Sequence, residues 1–288
     1  MILSSYADVT ALDKFIEILK VLVLGIVEGI TEWLPVSSTG HMILIDEFLH
    51  LRVSPDFREM FLVVIQLGAI LAVPVLFWQR LVPFSKKKSD VEKKQIYSLW
   101  LKVIVGVIPA AVLGFLLDDF LDEHLYHFAV VAIALAVYGV AFIVVEKIKR
   151  GSAYRIESVY DISYRDALFI GAFQCLSLIP GTSRSGSTIL GGMIGGVSRS
   201  AASEFSFFMA IPVMLGASGL KIVKFFLGGG SLFGFEWLLL GLGILISFLV
   251  SLVTIRFLME FVKGHSFAAF GIYRIILGIL VLLYFFIF

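Results

Sequence analysis

Gly25–Leu44 reads GIVEGITEWLPVSSTGHMIL, and Gly171–Leu190 reads GAFQCLSLIPGTSRSGSTIL. Each runs apolar, meets a proline, passes through a knot of Ser, Thr and Gly, and turns apolar again. Laid side by side, Gly25 matches Gly171, Glu28 matches Gln174, Pro35 matches Pro180 and Ser38 matches Ser183. A helix does not run smoothly through such a knot, because proline removes a backbone donor while Gly and Ser favour turns. Two broken apolar stretches of one design therefore decide the fold.

Outward from them, the whole chain is apolar. Of its 288 residues 59% are hydrophobic and only 16% charged, with a mean hydropathy of +1.01. Soluble domains carry roughly a quarter charged residues, so an all-α polytopic membrane protein is expected. A net charge of +1 supplies no basic field for nucleic acid. Cys175 is the single cysteine, which excludes an internal disulfide and a multi-cysteine metal site. Met1–Lys14 has no basic region followed by a small-residue cleavage site, so no removable signal peptide is expected.

A membrane helix needs about 20 mostly apolar residues. Six stretches meet that demand: Phe61–Gln79, Val103–Leu117, Leu125–Val145, Phe205–Leu227, Trp237–Ile255 and Phe270–Phe288. The second extends back through Leu99, and Pro74, Pro109 and Pro212 predict kinks. Arg80, Lys86, Lys87, Lys88, Lys93, Lys94 and Lys102 fill one connection, and Lys147, Lys149, Arg150, Arg155 and Arg165 another. The positive-inside rule places both in the cytoplasm, with Arg256 and Lys263 marking a third cytoplasmic loop. The acidic connection Asp118–His124 and the C-terminus then lie outside.

Phe15–Phe48 and Ala167–Val197 are apolar but interrupted, and do not fit as simple spans. Non-helical backbone at membrane depth survives only when buried in protein or lining a wet cavity. Two re-entrant helix hairpins satisfy that condition. The first opens outside and is followed by three spans; the second opens inside and is followed by three more. That is an inverted-topology repeat within a single domain spanning residues 1–288, its halves covering roughly 12–146 and 160–288, with the broken tips meeting near the midplane. Ordinary spans with loops at Pro35 and Pro180 would preserve the same parity.

The knots carry the chemistry. Glu28 and Glu32 share one helix face; two like charges in an apolar run need a cation, a shared proton or an arginine partner. Ser37, Ser38, Thr39, Gly40 and His41 supply a nucleophile candidate, a general acid or base and free backbone donors at the start of a half-helix. Alone, such a run is ordinary turn material. In the second knot Arg184 is the decisive residue, with no other charge between Asp166 and Arg199. A guanidinium grips phosphate oxygens in a bidentate fork, and Gly181, Thr182, Ser183, Ser185 and Thr188 add hydroxyl and N–H donors. Carboxylates beside an oxygen-rich ligand suit Mg²⁺ or Ca²⁺, so the combination points to metal-assisted phosphoryl transfer. Gly191-Gly192 and Gly195-Gly196 read as close helix packing. Arg199 and Glu204 anchor the cytoplasmic end of a span.

EGITEWLPVSSTGH (Glu28–His41) and PGTSRSGST (Pro180–Thr188) closely resemble the signature motifs of the bacterial undecaprenyl-diphosphatases of the bacitracin-resistance type. The resemblance extends through FLVVIQLGAILAV, DISYRDALFIGAFQCLSLIPG, GVSRSAASEFSFFMAIPVM and IYRIILG, and so covers nearly the whole chain. It implies an enzyme of the bacterial inner membrane, its active site facing the periplasm, that removes the terminal phosphate of undecaprenyl diphosphate. The monophosphate so regenerated is the lipid carrier for peptidoglycan. It also implies a divalent cation and paired re-entrant elements. By motif position, Glu28 and Glu32 hold the metal or act in acid–base steps, Ser38 is the nucleophile with Ser37 beside it, and His41 is the general acid or base. Ser183, Arg184, Ser185 and Thr188 cradle the diphosphate, with Thr39, Gly181 and Thr182 beside them. Attack by an activated water stays open, as does a homodimer. A lipid flippase using the same pocket is the competing function, since inverted repeats with broken helices are the usual transporter build.

Overall fold

The computed structural model describes residues 10–85, 87–125 and 127–287. Lys86, most of the segment read for a signal peptide, and Phe288 at the end of the last predicted span lie outside the described residues. Twelve α-helices follow one another among the described residues: α1 (Ala11–Thr31), α2 (Ser38–Leu49), α3 (Pro55–Val64), α4 (Gln66–Leu76), α5 (Trp78–Leu81), α6 (Asp90–Leu125), α7 (Phe128–Lys149), α8 (Tyr164–Cys175), α9 (Arg184–Ile194), α10 (Arg199–Leu227), α11 (Gly234–Gly264) and α12 (Ala268–Ile287). The only extended pairing among these residues is an isolated bridge between Ile156 and Val197.

Six stretches are long and apolar enough to cross a membrane: Pro55–Leu76, Asp90–Leu117, Phe128–Lys149, Arg199–Leu227, Gly234–Gly264 and Ala268–Ile287. Each contains most of one expected span, and the chain is a multi-pass, all-α membrane protein. The ends differ. Asp118–His124, read as an external connection, continues α6 to Leu125. Polar residues at a helix end lose nothing by staying helical where water is at hand. Pro74, Pro109 and Pro212 each sit inside a helix, and the first span has a further break at Ile65, between α3 and α4.

Sequence signals place the helix starts. Thr10 and Asp13 form a reciprocal capping box on α1, as Ser163 and Asp166 do on α8. Ser54 caps α3 with Pro55 at its first position.

The tertiary pairing is reciprocal. α1 packs on α11, α8 packs on α6, and α7 packs along α12. Glycines set the closest crossings. A Cβ on Gly68 would lie 2.0 Å from the Ile244 carbonyl oxygen, and one on Gly171 would lie 2.1 Å from that of Gly106. With little hydrophobic drive between helices in lipid, such small-residue contacts hold them together. Gly191 and Gly192 behave as read, meeting Phe173 and Ala202, while Gly196 is a turn residue at φ 84°.

At the end bearing the basic clusters, Glu204 pairs with Arg80 and Glu146 pairs with Arg199. Glu146 also accepts from the Phe267 backbone N–H at 2.7 Å. Arg199 and Glu204 thus anchor the start of α10, the span end at which they were expected.

Candidate active site

α1 ends at Thr31 and α2 begins at Ser38, and the turn between them is tight. Its last residue, Ser37, has φ 74°. In the second knot, Ser183 has φ 72° and caps α9. These are the only non-glycine residues with positive φ among those described, a conformation that costs energy and clusters at functional sites. Each serine's Oγ accepts the backbone N–H three residues on, Gly40 at 3.2 Å and Gly186 at 3.1 Å. The match from sequence therefore shifts by one: Ser37, not Ser38, is the counterpart of Ser183, and one constant offset also carries Gly25 to Gly171 and Glu28 to Gln174. Ser38 then stands where the second knot has Arg184.

Those two residues meet on one carboxylate. Ser38 Oγ donates to Glu32 Oε2 at 2.8 Å. Arg184 Nε and Nη2 donate to Glu32 Oε1 at 3.3 and 3.0 Å, and its Nη1 donates to the Ser206 carbonyl at 2.9 Å. The guanidinium lies 5.9 Å from the centre of the Trp33 ring, itself fully buried. Arg184 is thus the arginine partner that the Glu28–Glu32 pair demanded. It serves Glu32 alone: both oxygens of Glu28 are buried without a hydrogen-bond partner.

Glu28 lines a cavity of about 430 Å³ together with Ser38, Thr39, Glu59, Gln66 and Lys221. Met42, Ile43, Leu62 and Val63 form its apolar wall. Neither Glu32 nor Arg184 is on that lining; they stand behind Ser38.

The second knot is less open than its hydroxyls suggested. Thr182 Oγ1 bonds the carbonyls of Leu176 and Ile179 at 2.9 and 2.8 Å. Ser185 Oγ donates to the Glu32 carbonyl at 3.0 Å. Thr188 Oγ1 lies 2.7 Å from Ser206 Oγ and 3.0 Å from the Arg184 carbonyl. Ser183 Oγ and Ser185 Oγ are 3.2 Å apart. These hydroxyls bind the two knots to each other and to α10.

His41, one turn into α2, stands apart from Ser38. Its Nδ1 lies 2.7 Å from the Ser37 carbonyl, which only accepts, so that nitrogen carries a proton. Its Nε2 lies 2.6 Å from Tyr273 Oη, with the rings stacked at 5.6 Å.

Arg274 of α12 was missed as a functional residue in the motif reading. Fully buried, it donates to Pro35 at 3.1 Å and to Gly181 and Thr182 at 2.8 and 3.0 Å, all backbone carbonyls. It thereby ties the tips of both knots. Gly181 itself has φ 94°, and a Cβ there would lie 2.5 Å from the Val131 carbonyl oxygen. A buried charge in a membrane is a signal of function, but within IYRIILG Arg274 reads as a span-end arginine. Glu59 and Lys221 were missed for a plainer reason, since neither belongs to a motif.

As to a metal, no cluster of three or more His, Cys, Asp or Glu suited to an ion exists among the described residues. The donor set still fits a hard cation, which needs few protein ligands when substrate oxygens complete its shell. Glu28 offers two unpartnered oxygens, and Ser38, Thr39 and Gln66 line the same space. Glu32, expected as the second ligand, has both oxygens occupied.

Fold and site together define a polytopic α-helical membrane protein with an acidic, hydroxyl-lined cavity closed at its base by an Arg–Glu–Ser relay. Residues 21–280 match the family described as bacitracin resistance protein BacA, and the chain belongs to that family. An undecaprenyl-diphosphatase of Enterococcus faecalis is 56% identical, the match covering 95% of this chain and 98% of the relative. Undecaprenyl-diphosphatase 1 of Clostridioides difficile is 55% identical over the same shares. An undecaprenyl-diphosphatase of Acetivibrio thermocellus is 53% identical over 94% and 98% of the two chains.

Proposed function

We propose that this protein hydrolyses undecaprenyl diphosphate to the monophosphate and inorganic phosphate, returning the lipid carrier to peptidoglycan synthesis. It does so in the bacterial inner membrane. The observation that carries the reading is the Arg184–Glu32–Ser38 relay behind a cavity that also holds the unpartnered Glu28. A carrier that only grips a lipid headgroup has no use for a hydroxyl hydrogen-bonded to a buried carboxylate, and the names of the relatives speak for a hydrolase.

In this reading the terminal phosphate sits at the base of the cavity against Ser38 and Thr39. Ser38 Oγ attacks its phosphorus as the proton passes to Glu32 Oε2. The bond from that phosphorus to the bridging oxygen breaks, and the prenyl monophosphate leaves with the bridging oxygen. Water then attacks the phosphoserine, restoring Ser38 and releasing inorganic phosphate, so one water is consumed per turnover. Arg184 holds Glu32 in place for both steps. His41 keeps the Ser37 turn in shape and positions Ser38, and Tyr273 steadies His41. A divalent cation, Mg²⁺ or Ca²⁺, would be held by Glu28 with Ser38, Thr39 or Gln66 and would draw negative charge from the phosphate oxygens.

The lengths of three of the four hairpin arms support re-entrant elements within an inverted repeat; the fourth, α1, has 21 residues and is long enough to cross. α2, α8 and α9 have 12, 12 and 11 residues. At about 1.5 Å per residue these reach only partway across about 30 Å of hydrocarbon. The reciprocal packing of α1 on α11 and α8 on α6 is what a pseudo-two-fold axis between repeats produces. Of the lining residues, Glu59 lies in the first half of α3 and Lys221 in the last third of α10. Those ends are opposite the basic clusters, which supports a site opening to the periplasm.

The test is phosphate release from undecaprenyl or farnesyl diphosphate by purified protein in detergent, with Mg²⁺ or Ca²⁺ and then with chelator. Metal-dependent release that falls about 10²-fold or more in Ser38→Ala, a typical loss for a removed nucleophile or proton-transfer group, supports the reading. Near-normal turnover in a well-folded Ser38→Ala protein would transfer the attack to water. No release by the intact protein with any metal would sink the hydrolase.

A further inference from the structure

We propose that Lys221 is a substrate-binding residue that receives the prenyl-linked phosphate of the substrate, and that Glu59 stands in for that phosphate while the cavity is empty. The inference rests on the phosphatase reading of the same site.

Two cations lie near the cavity, and they differ in what they are free to do. Arg184 has Nε and Nη2 on Glu32 and Nη1 on the Ser206 carbonyl, and its side chain is only 11% exposed. Moving it onto a ligand would strip a buried carboxylate of its partner, which is strongly unfavourable. Lys221 lies on the cavity lining with Glu28, Ser38 and Thr39. Its only described ionic partner is Glu59 of α3, whose side chain is 64% exposed against 29% for Lys221. The carboxylate is the exposed half of the pair, so a phosphate in the cavity displaces Glu59 without leaving a buried carboxylate unpaired. Without Lys221, the lining charges would be the carboxylates of Glu28 and Glu59, hostile to a diphosphate.

The order of the two phosphates follows from position. The base of the cavity, at Ser38, takes the phosphorus that is attacked. Lys221 and Glu59 join α10 to α3 on walls of the same cavity that α2 does not supply, which leaves them for the chain-bearing phosphate. A compact, three-donor ammonium suits a phosphate met as a point charge. Lys221 therefore stabilises the group that departs as product.

The experiment compares wild type, Lys221→Met, Lys221→Arg and Glu59→Gln, each checked for a single monodisperse peak in detergent. Turnover of farnesyl diphosphate is measured, together with inhibition by farnesyl monophosphate and by inorganic phosphate. Farnesyl monophosphate binding is also measured directly by calorimetry, which needs no turnover. Lys221→Met is expected to raise KM roughly tenfold or more with kcat changed far less, and Lys221→Arg to restore most of the loss. Farnesyl monophosphate should bind correspondingly weaker to Lys221→Met, with inhibition by inorganic phosphate unchanged. Glu59→Gln should lower KM, because the competing carboxylate is gone. Unaltered KM and unaltered monophosphate binding in Lys221→Met would overturn the proposal, as would an equal loss for inorganic phosphate. If Lys221→Met fails to fold, Glu59→Gln decides, and an unchanged or higher KM in it refutes the exchange. An inactive wild type that still binds farnesyl monophosphate through Lys221 would count against the hydrolase and not against this contact.

Discussion

Glu28 and Gln174 hold the same place in the two halves of the chain, and both are buried with side-chain polar atoms unpartnered. The amide is the cheaper of the two to bury, because an isolated carboxylate loses far more hydration. Glu28→Gln therefore keeps the volume, is expected to raise the Tm in detergent, and lowers phosphate release because the cation loses its charged ligand. A thermal melt run beside an activity assay checks both signs. A variant that is neither more stable nor less active would mean that Glu28 is satisfied by something other than substrate or metal. Arg184→Ala has the opposite signature. Glu32 is left buried without its cation, at a cost of about 3–5 kcal/mol, so both stability and activity fall; Lys at that position restores charge but not the two bonds to Oε1.

Helices meet in this protein where side chains are absent. Gly68→Val and Gly171→Val would each push a side chain into a backbone carbonyl of the crossing helix and are expected to lower the Tm sharply. Gly219→Val, where nothing lies within 4 Å, should leave it almost unchanged. A melt of the three variants in one detergent is sufficient to check this, and similar behaviour of all three would refute the packing argument. The glycines also show what could be read from sequence at this scale. The six apolar stretches were legible because hydrocarbon imposes a length that composition alone reports. The knots were legible because Pro, Ser and Gly cannot prolong a helix. Arg184 stood out by its isolation among apolar neighbours. The helix break at Ile65 was not legible, since no breaker residue marks it, and the direction of His41 was not, since it depends on Tyr273 more than two hundred residues away. Lys221 and Glu59 read as ordinary helix-end charges until α3 and α10 bring them to one cavity.

For the molecule as a whole, the testable quantity is which side faces which compartment. Cys175 is the single cysteine, so Cys175→Ser gives a clean background for labelling. A cysteine placed at Ser231, between α10 and α11, should react with a membrane-impermeant maleimide in intact spheroplasts. One placed at Ser152, between α7 and α8, should react only after the membrane is opened. The reverse pattern would turn the protein over and put the cavity mouth in the cytoplasm.

Arg274 gives the site a schedule. The carbonyls of both knots wait on a guanidinium carried by α12, which leaves the ribosome after both knots. Until then the first knot, made early, has Glu28, Glu32 and Ser38 in the chain but no clamp at Pro35, and the second lacks its hold on Gly181 and Thr182. A nascent or truncated chain ending after α11 should insert and remain inert, so the membrane never holds a half-made protein able to attack its own pool of carrier lipid.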